Sequence, residues 1–171
     1  MVNSGFTLLE LVMVMMLLCV VAAMAVPALR GFGQGRRLGS CAAQLVSLAQ
    51  YARTQAITRG VPYRMHVDPD TATYWLTAER DDGVFDTPGD EFGRVFEAPE
   101  GIAIDWLGPS PPDAGRFPYV EFLPTGRTSA AATLRLTDEG SGGGGGAVTE
   151  VACLSPAEPF RVLAEWEMTA R

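Results

Sequence analysis

Glu10 is the residue whose surroundings most need a chemical explanation, because it is the one charged residue between positions 6 and 29. The rest of that stretch is almost entirely Leu, Val, Met and Ala. An ionised carboxylate in an apolar segment costs about 3 kcal/mol unless a cation pairs with it, so such acids usually have a function. The position therefore favours ion pairing with a cation supplied from elsewhere. The simpler alternative places Glu10 at the level of lipid headgroups near a helix start, where an acid is tolerated.

The element that must carry Glu10 is an apolar helix over residues 6–29. At a rise of about 1.5 Å per residue it spans roughly 36 Å, which exceeds a hydrocarbon core of about 30 Å. An ordinary secretory signal would end at Ala23-Met24-Ala25, but no Lys or Arg precedes the apolar run and an acid lies within it. A lipoprotein signal at Cys19 is disfavoured because Leu18, immediately before it, is too large.

A third kind of signal accounts for the acid. The string Gly5-Phe6-Thr7-Leu8-Leu9-Glu10-Leu11-Val12 resembles the class III signal of type IV prepilins and type II secretion pseudopilins. The resemblance implies that a prepilin peptidase cleaves between Gly5 and Phe6 and N-methylates Phe6. It also implies that Glu10 is the assembly glutamate, paired in a filament with the Phe6 amino group of a neighbouring subunit.

One feature of the leader departs from that pattern. Residues 1–5 contain no basic side chain, whereas Arg30, Arg36 and Arg37 follow the apolar segment. The positive-inside rule would then favour the opposite orientation in the membrane. Either the natural start lies upstream of Met1, or recognition by the peptidase overrides the charge bias.

Beyond the apolar segment, the helical pattern is first interrupted and then resumes. Pro27 and four glycines, at positions 31, 33, 35 and 39, predict a kinked or partly melted stretch. An amphipathic extension over residues 30–60 follows, and Gly60 with Pro62 predicts its end. Its apolar stripe has the three- and four-residue spacing of a core-facing helix surface: Leu38, Cys41, Ala42, Leu45, Leu48, Ala49, Ala52 and Ala56.

Residues 61–171 are predicted to form a β-rich head. Val61, Tyr63, Met65 and Val67 alternate with polar residues, as in a half-buried strand. Strands are predicted over residues 61–67, 73–78, 94–97, 102–106, 119–123, 133–136, 148–154 and 160–166. The chain is thus predicted to be an α+β protein with a pilin-like arrangement, a long N-terminal helix packed on an antiparallel sheet. Its divisions are a leader over 1–5, a transmembrane stem over 6–29, the helix extension and the head.

Two segments of the second half narrow the resemblance. The helix sequence Gln50-Tyr51-Ala52-Arg53-Thr54-Gln55-Ala56 and the turn Phe122-Leu123-Pro124-Thr125-Gly126 resemble minor pseudopilins of the GspH and FimT type. The sequence after Cys153 departs, because Ser155-Pro156-Ala157-Glu158-Pro159 replaces an expected glycine-centred turn and the tail over residues 164–171 is extra.

The resemblance implies a minor pseudopilin of a type II secretion system that assembles into, and could initiate or tip, a periplasmic pseudopilus. The implied location is the bacterial inner membrane, crossed once, with the head in the periplasm. The implied partners are other pseudopilins or pilins, the prepilin peptidase, the inner-membrane assembly platform and membrane lipid. The alternatives are a minor pilin of a type IV pilus, involved in pilus biogenesis or DNA uptake, and more remotely a signal-anchored periplasmic enzyme or binding domain.

The remaining chemistry-bearing residues favour structural roles. His66, the only histidine, is expected to be a solvated strand residue, and no catalytic or nucleotide-binding motif occurs, so no enzyme activity, cofactor or metal is predicted. The acidic stretch over residues 79–91 is expected to be a solvated loop, with calcium binding as the alternative, although its spacing does not match an EF-hand. Cys41 and Cys153 could form a disulfide in an oxidising compartment, which the sequence does not decide.

Charge is divided unevenly along the chain. All 13 basic residues are arginines, and residues 1–67 carry six of them against one acid. From Asp68 onward there are seven arginines and nineteen acids, a net charge of −12. Because phosphate backbones repel such a domain, nucleic acid is not expected as a partner.

Overall fold

The computed structural model describes residues 8–109, 111–139, 146–164 and 167–168, with the side chains of residues 24–35 left undescribed. The chain divides into two compact units, Met1–Arg36 and Arg37–Arg171. Gly5 and Phe6 lie outside the described residues, as do residues 140–145 of the glycine run and part of the C-terminal tail.

A single helix, α1, runs from Leu8 to Arg59, a length of 52 residues. The predicted melting at Pro27 and the following glycines is therefore wrong, because these residues are helical, and the predicted kink stays a prediction. Helix extension is cooperative, and the good helix formers on both sides outweigh one missing proline hydrogen bond and a few weak glycines. The predicted end is confirmed. Gly60 adopts a φ of 71°, and its N–H donates to the Ala56 carbonyl at 3.0 Å, which caps the last turn.

The strands form two antiparallel sheets. The strands of the first, sheet A, are β1 (Tyr63–Asp68), β2 (Thr73–Glu79), β3 (Phe85–Asp86), β4 (Phe96–Glu97) and β6 (Tyr119–Phe122). Their order is β3-β2-β1-β6, with β4 pairing to β2. The strands of the second, sheet B, are β5 (Ile102–Trp106), β7 (Ala132–Asp138), β8 (Val148–Cys153) and β9 (Arg161–Val162). Their order is β5-β7-β8-β9.

The core of the second unit lies between the C-terminal half of α1 and the inner faces of both sheets. All eight residues of the predicted helix stripe are buried, and the alternation in β1 is confirmed, with Tyr63, Met65 and Val67 fully buried. Four of the eight stripe residues are alanines, whose small side chains allow the sheets to approach the helix closely. They join one continuous cluster with Ile104, Leu134 and their neighbours, so α1 and the strands share one core.

Strand positions agree with the sequence pattern better than strand lengths do. Among the described residues, the predicted strand over 94–97 is reduced to β4 and the one over 160–166 to β9, because only the residues of β4 and β9 pair with a neighbour there. The two-residue strand β3 was not predicted. It exists because Asp86 and Phe85 continue the ladder of β2 across a tight turn, which no local alternation records.

Candidate functional site

Glu10 lies in the first turn of α1 and is exposed. The large apolar side chains from Leu8 to Val21 are exposed as well. Exposed apolar surface of this extent marks a surface that contacts lipid or another protein. An acid in the first helical turn also interacts favourably with the positive end of the helix dipole.

Apart from Glu10, the exposed part of α1 is apolar on every side. One shallow apolar groove is lined by Leu11, Val12, Met15, Met16, Cys19 and Val20. At 3.6 residues per turn, the centre of that groove lies about 170° around the helix from Glu10. The carboxylate is therefore on the side of the helix away from the groove. Taken over the residues that are described, α1 does not present a stretch both long and apolar enough to cross a membrane.

The acidic loop after β2 is largely solvated, as predicted, because Asp81, Asp82, Asp86 and Glu91 are all exposed. It is nevertheless fixed to α1 at one residue, Asp90. The Tyr51 hydroxyl donates to Asp90 Oδ2 at 2.6 Å, and the Arg59 guanidinium lies 3.4 Å from the same oxygen. The Tyr51 ring stacks on Phe92 with centroids 4.0 Å apart. Asp90 Oδ1 accepts from the Phe92 N–H at 3.0 Å, so one carboxylate both builds the turn and docks it.

The loop ends in a close turn that requires glycine. A Cβ added to Gly93 would lie 1.8 Å from the Pro88 carbonyl oxygen, a backbone atom that cannot move aside. Other loop acids contact an arginine, with Arg80 lying 3.3 Å from Asp86 and 3.9 Å from Asp82. Within the described part of the chain, no three His, Cys, Asp or Glu side chains converge closely enough to hold a metal ion.

His66 is not the solvated residue that the sequence predicted. Its ring stacks on Trp75 at 5.3 Å, lies 5.4 Å from the Tyr119 ring, and makes a 3.0 Å hydrogen bond with Thr77 Oγ1. Burial, followed by the nearby Arg64 guanidinium, lowers the pKa of His66 to about 4. The imidazole is therefore neutral at pH 7 and packs against the Trp75 and Tyr119 rings on sheet A. Its pKa lies well below the value near neutrality that general-base catalysis favours.

Cys41 and Cys153 are both buried free thiols, so the structure does not show the disulfide that the sequence left open. Burial raises the pKa of Cys41 to about 11. The Cys153 thiol donates to the carbonyls of Ser155 at 3.0 Å and Glu158 at 3.3 Å. That arrangement closes the turn in the segment where the sequence departs from the expected glycine.

The tail after β9 folds back on the chain. Arg161 makes two parallel hydrogen bonds to Glu167, at 2.8 and 2.7 Å. Glu167 also accepts from the Ala164 N–H at 2.9 Å. Leu163 is buried, and its N–H donates to the Glu150 carbonyl. Within the described part of the tail, Glu167 is thus joined to β9 through Arg161, and Leu163, just before the tail, bonds to β8.

The turn that follows β6 shows why the pattern Phe122-Leu123-Pro124-Thr125-Gly126 ends in glycine. Gly126 has a φ of 76°, and its N–H donates to the Leu123 carbonyl. A Cβ at this position would lie 3.0 Å from Cδ1 of Ile57 on α1. Backbone conformation and contact with the helix therefore both favour glycine.

Comparison with known families agrees with this architecture. Residues 42–153, more than half of the chain, match the family described as Type II transport protein GspH. Residues 1–26 match the Prokaryotic N-terminal methylation motif, which contains Gly5, Phe6 and Glu10.

Individual relatives share parts of the chain or its fold. Type II secretion system protein H of Xanthomonas campestris pv. campestris is 38% identical over 65 residues, which cover 38% of each chain. The minor pseudopilin EpsH of Vibrio cholerae aligns at TM-scores of 0.56 and 0.59, with 19% and 16% identity, over 72% and 75% of this chain and 93% and 94% of EpsH. The type IV minor pilin FimU of Pseudomonas aeruginosa aligns at 0.53 with 15% identity, over 78% of this chain and 92% of FimU.

The structural likenesses show a shared pilin-like fold, a long N-terminal helix packed on antiparallel sheet. The family match over residues 42–153 is more specific, because it rests on the sequence of the head itself. The methylation motif lies on the same chain, directly ahead of it. The chain belongs to the GspH family of type II transport proteins.

Proposed function

We propose that this chain is a minor pseudopilin of a type II secretion apparatus, made as a prepilin and assembled with other pseudopilins into a periplasmic filament. The observation that carries the proposal is that one helix, Leu8–Arg59, joins a methylation motif to a GspH head. The aligned stretch spans only 38% of the curated relative, so the partners of that protein are extended to this chain as part of the proposal. Likeness to FimU at 15% identity concerns the fold and does not favour a surface pilus.

In this proposal the prepilin peptidase cleaves between Gly5 and Phe6 and methylates the new amino terminus. Residues 6–29 then anchor the chain in the inner membrane with a single crossing, and the head lies in the periplasm. The exposed apolar surface from Leu8 to Val21 supports this role, because a soluble domain rarely leaves so many large apolar side chains uncovered.

Glu10 has the assembly role in this proposal. Its carboxylate lies in the first turn of α1, at the level where the proposal puts the amino terminus of an adjacent stem. Opposite charges attract more strongly where the dielectric constant is low, so pairing with the Phe6 ammonium of a neighbour would be favoured inside a bundle of apolar helices. Loss of one partner would leave the other charge uncompensated, which is strongly unfavourable.

The test replaces Glu10 by Gln, Ala or Leu, with Glu10→Asp as the matched variant that keeps the charge. We expect all four proteins to insert into the membrane and fold, because Glu10 is exposed and precedes the residues of the head core. Co-purification with the other pseudopilins, and secretion, should fall in the three uncharged variants and be retained at least partly in Glu10→Asp. If Glu10→Gln assembles at the wild-type level, the proposed ion pair is not needed for assembly and this part of the proposal is wrong.

A further inference from the structure

A cleft of about 370 Å³ opens at the C-terminal end of α1, where the anchored acidic loop meets β1 and β2. Its charged lining consists of Arg59, Glu79, Arg80, Asp81 and Asp86. Pro88 and Gly89, from the part of the loop that Asp90 docks, form another part of the lining. The acidic loop therefore forms one side of the cleft, and residues of α1, β1 and β2 form the rest.

Tyr63 also lines this cleft, and its hydroxyl has no hydrogen-bond partner among the described residues. The side chain is fully buried. A buried hydroxyl without a partner costs about 1 to 3 kcal/mol, so a further polar group is expected there. The hydroxyl is enclosed in the free chain. Arg59 and Asp90 both act on it electrostatically, and their 3.4 Å contact is partly exposed and weak enough to be displaced.

The charge of the cleft favours a cation. Three carboxylates oppose two guanidinium groups in the lining, and the side-chain carboxylates of Glu79 and Asp81 make no hydrogen bond or ion pair among the described residues. Arg59, the last residue of α1, lines the cleft, and the C-terminal end of a helix dipole attracts positive charge.

We propose that this cleft receives the ammonium group of a lysine side chain from a neighbouring subunit, an inference that rests on the proposed function. An ammonium has three donors that point in different directions, which suits carboxylates and a phenolic oxygen spread around a cleft better than a planar guanidinium does. This chain contains no lysine. The occupant must therefore come from a different protein, so a second copy of this chain cannot supply it.

The absence of lysine also provides the test. Carbodiimide cross-linking joins carboxylates to amines, so any link from a carboxylate of this chain to a lysine is intermolecular. The experiment uses the full chain in membranes that contain the co-expressed pseudopilins, with the linked residues located by mass spectrometry. Links to a lysine of a co-purifying pseudopilin should be concentrated at Glu79, Asp81 and Asp86. Exposed acids elsewhere, Glu97 and Asp105, serve as internal controls.

Tyr63→Phe is the informative variant, because it removes the hydroxyl and leaves every carboxylate available to react. We expect the yield of links from the cleft to fall about two- to fivefold, the loss expected for one hydrogen bond to a charged group at a partly solvated site. The matched control is Tyr74→Phe. Tyr74 is also fully buried with an unpartnered hydroxyl among the described residues, but it does not line the cleft, so its yield should be unchanged. Unfolding midpoints of both variants confirm that each is folded.

Three results would overturn the inference: equal linking at Glu97 and Asp105, links only to unrelated proteins, or an unchanged yield in Tyr63→Phe. Failure of the wild-type chain to co-purify with any pseudopilin would remove the proposed function and this inference together. Normal co-purification without links from the cleft would remove the inference alone.

Discussion

Asp90 shows how a single side chain can organise a segment that has no regular structure. One carboxylate oxygen accepts from the Phe92 N–H, and the other accepts from Tyr51 and lies near Arg59. Tyr51 and Asp90 are 39 positions apart, so no local pattern could predict their contact. What the sequence could indicate was the acidity of the loop. Its attachment to α1 depends on the packing of the whole head.

His66 provides a prediction at the same scale. Burial lowers its pKa from an ordinary 6.5 to about 4, so between these values the unfolded chain binds a proton that the folded chain excludes. The free energy of unfolding contributed by this residue is therefore present above pH 6.5 and is lost as the pH falls toward 4. We expect a loss of about 1 to 2 kcal/mol between pH 7 and pH 5.

The measurement is denaturant unfolding of the full chain in detergent at both pH values, compared with His66→Gln. The variant keeps a polar side chain opposite Thr77 but does not titrate in this range. The carboxylates contribute equally to the pH dependence of the free energy of unfolding in both proteins. The difference between the two pH dependences is therefore due to His66. Parallel pH dependence in the two proteins would show that the imidazole is accessible to protons in the folded state.

At the scale of elements, the sequence was most informative where burial follows a simple period. The eight-residue stripe on α1 and the alternation in β1 are both confirmed, because each period matches the geometry of its element. Errors occurred where a two-residue pairing or a distant contact decided the outcome, as in β3 and β9. Composition also misled around Pro27, since helix breakers were weighed without the long helical segments on either side.

Gly126 tests the docking of the turn after β6 on α1. Gly126→Ala should lower the free energy of unfolding by about 1 kcal/mol for the positive φ, and further through the contact with Ile57. Gly115→Ala is the matched control, because Gly115 also has a positive φ, of 59°, but no atom lies near its added Cβ. In the double variant Gly126→Ala/Ile57→Ala the close contact between the two side chains is absent. The part of the destabilisation due to that contact should therefore disappear, and the part due to the positive φ should remain. If Gly126→Ala and Gly115→Ala lower the free energy of unfolding equally, the contact with Ile57 adds no cost, and the turn is not tightly packed against α1.

At the scale of the whole molecule, charge separates the basic N-terminal part from the acidic head. The head carries a net charge of −12 from Asp68 onward, and its arginines are largely engaged with its own acids, such as Arg135 with Glu150 at 2.9 Å. Such a surface does not release counterions from a phosphate backbone.

We therefore expect no binding of duplex or single-stranded DNA to the full chain in detergent at physiological salt. Fluorescence anisotropy with a labelled oligonucleotide checks this, with a basic DNA-binding protein as the positive control. Micromolar binding that weakens as salt increases would contradict the charge argument and would favour a role in DNA uptake.

If the chain is made as a prepilin, its processed amino terminus carries the evidence. The measurement is intact mass combined with N-terminal fragmentation of the protein extracted from membranes of a cell that contains the secretion system. We expect a mature chain that begins at Phe6, carries one N-methyl group and retains Glu10 as its fifth residue. A chain that begins at Val26, as after an ordinary secretory signal, would contradict it.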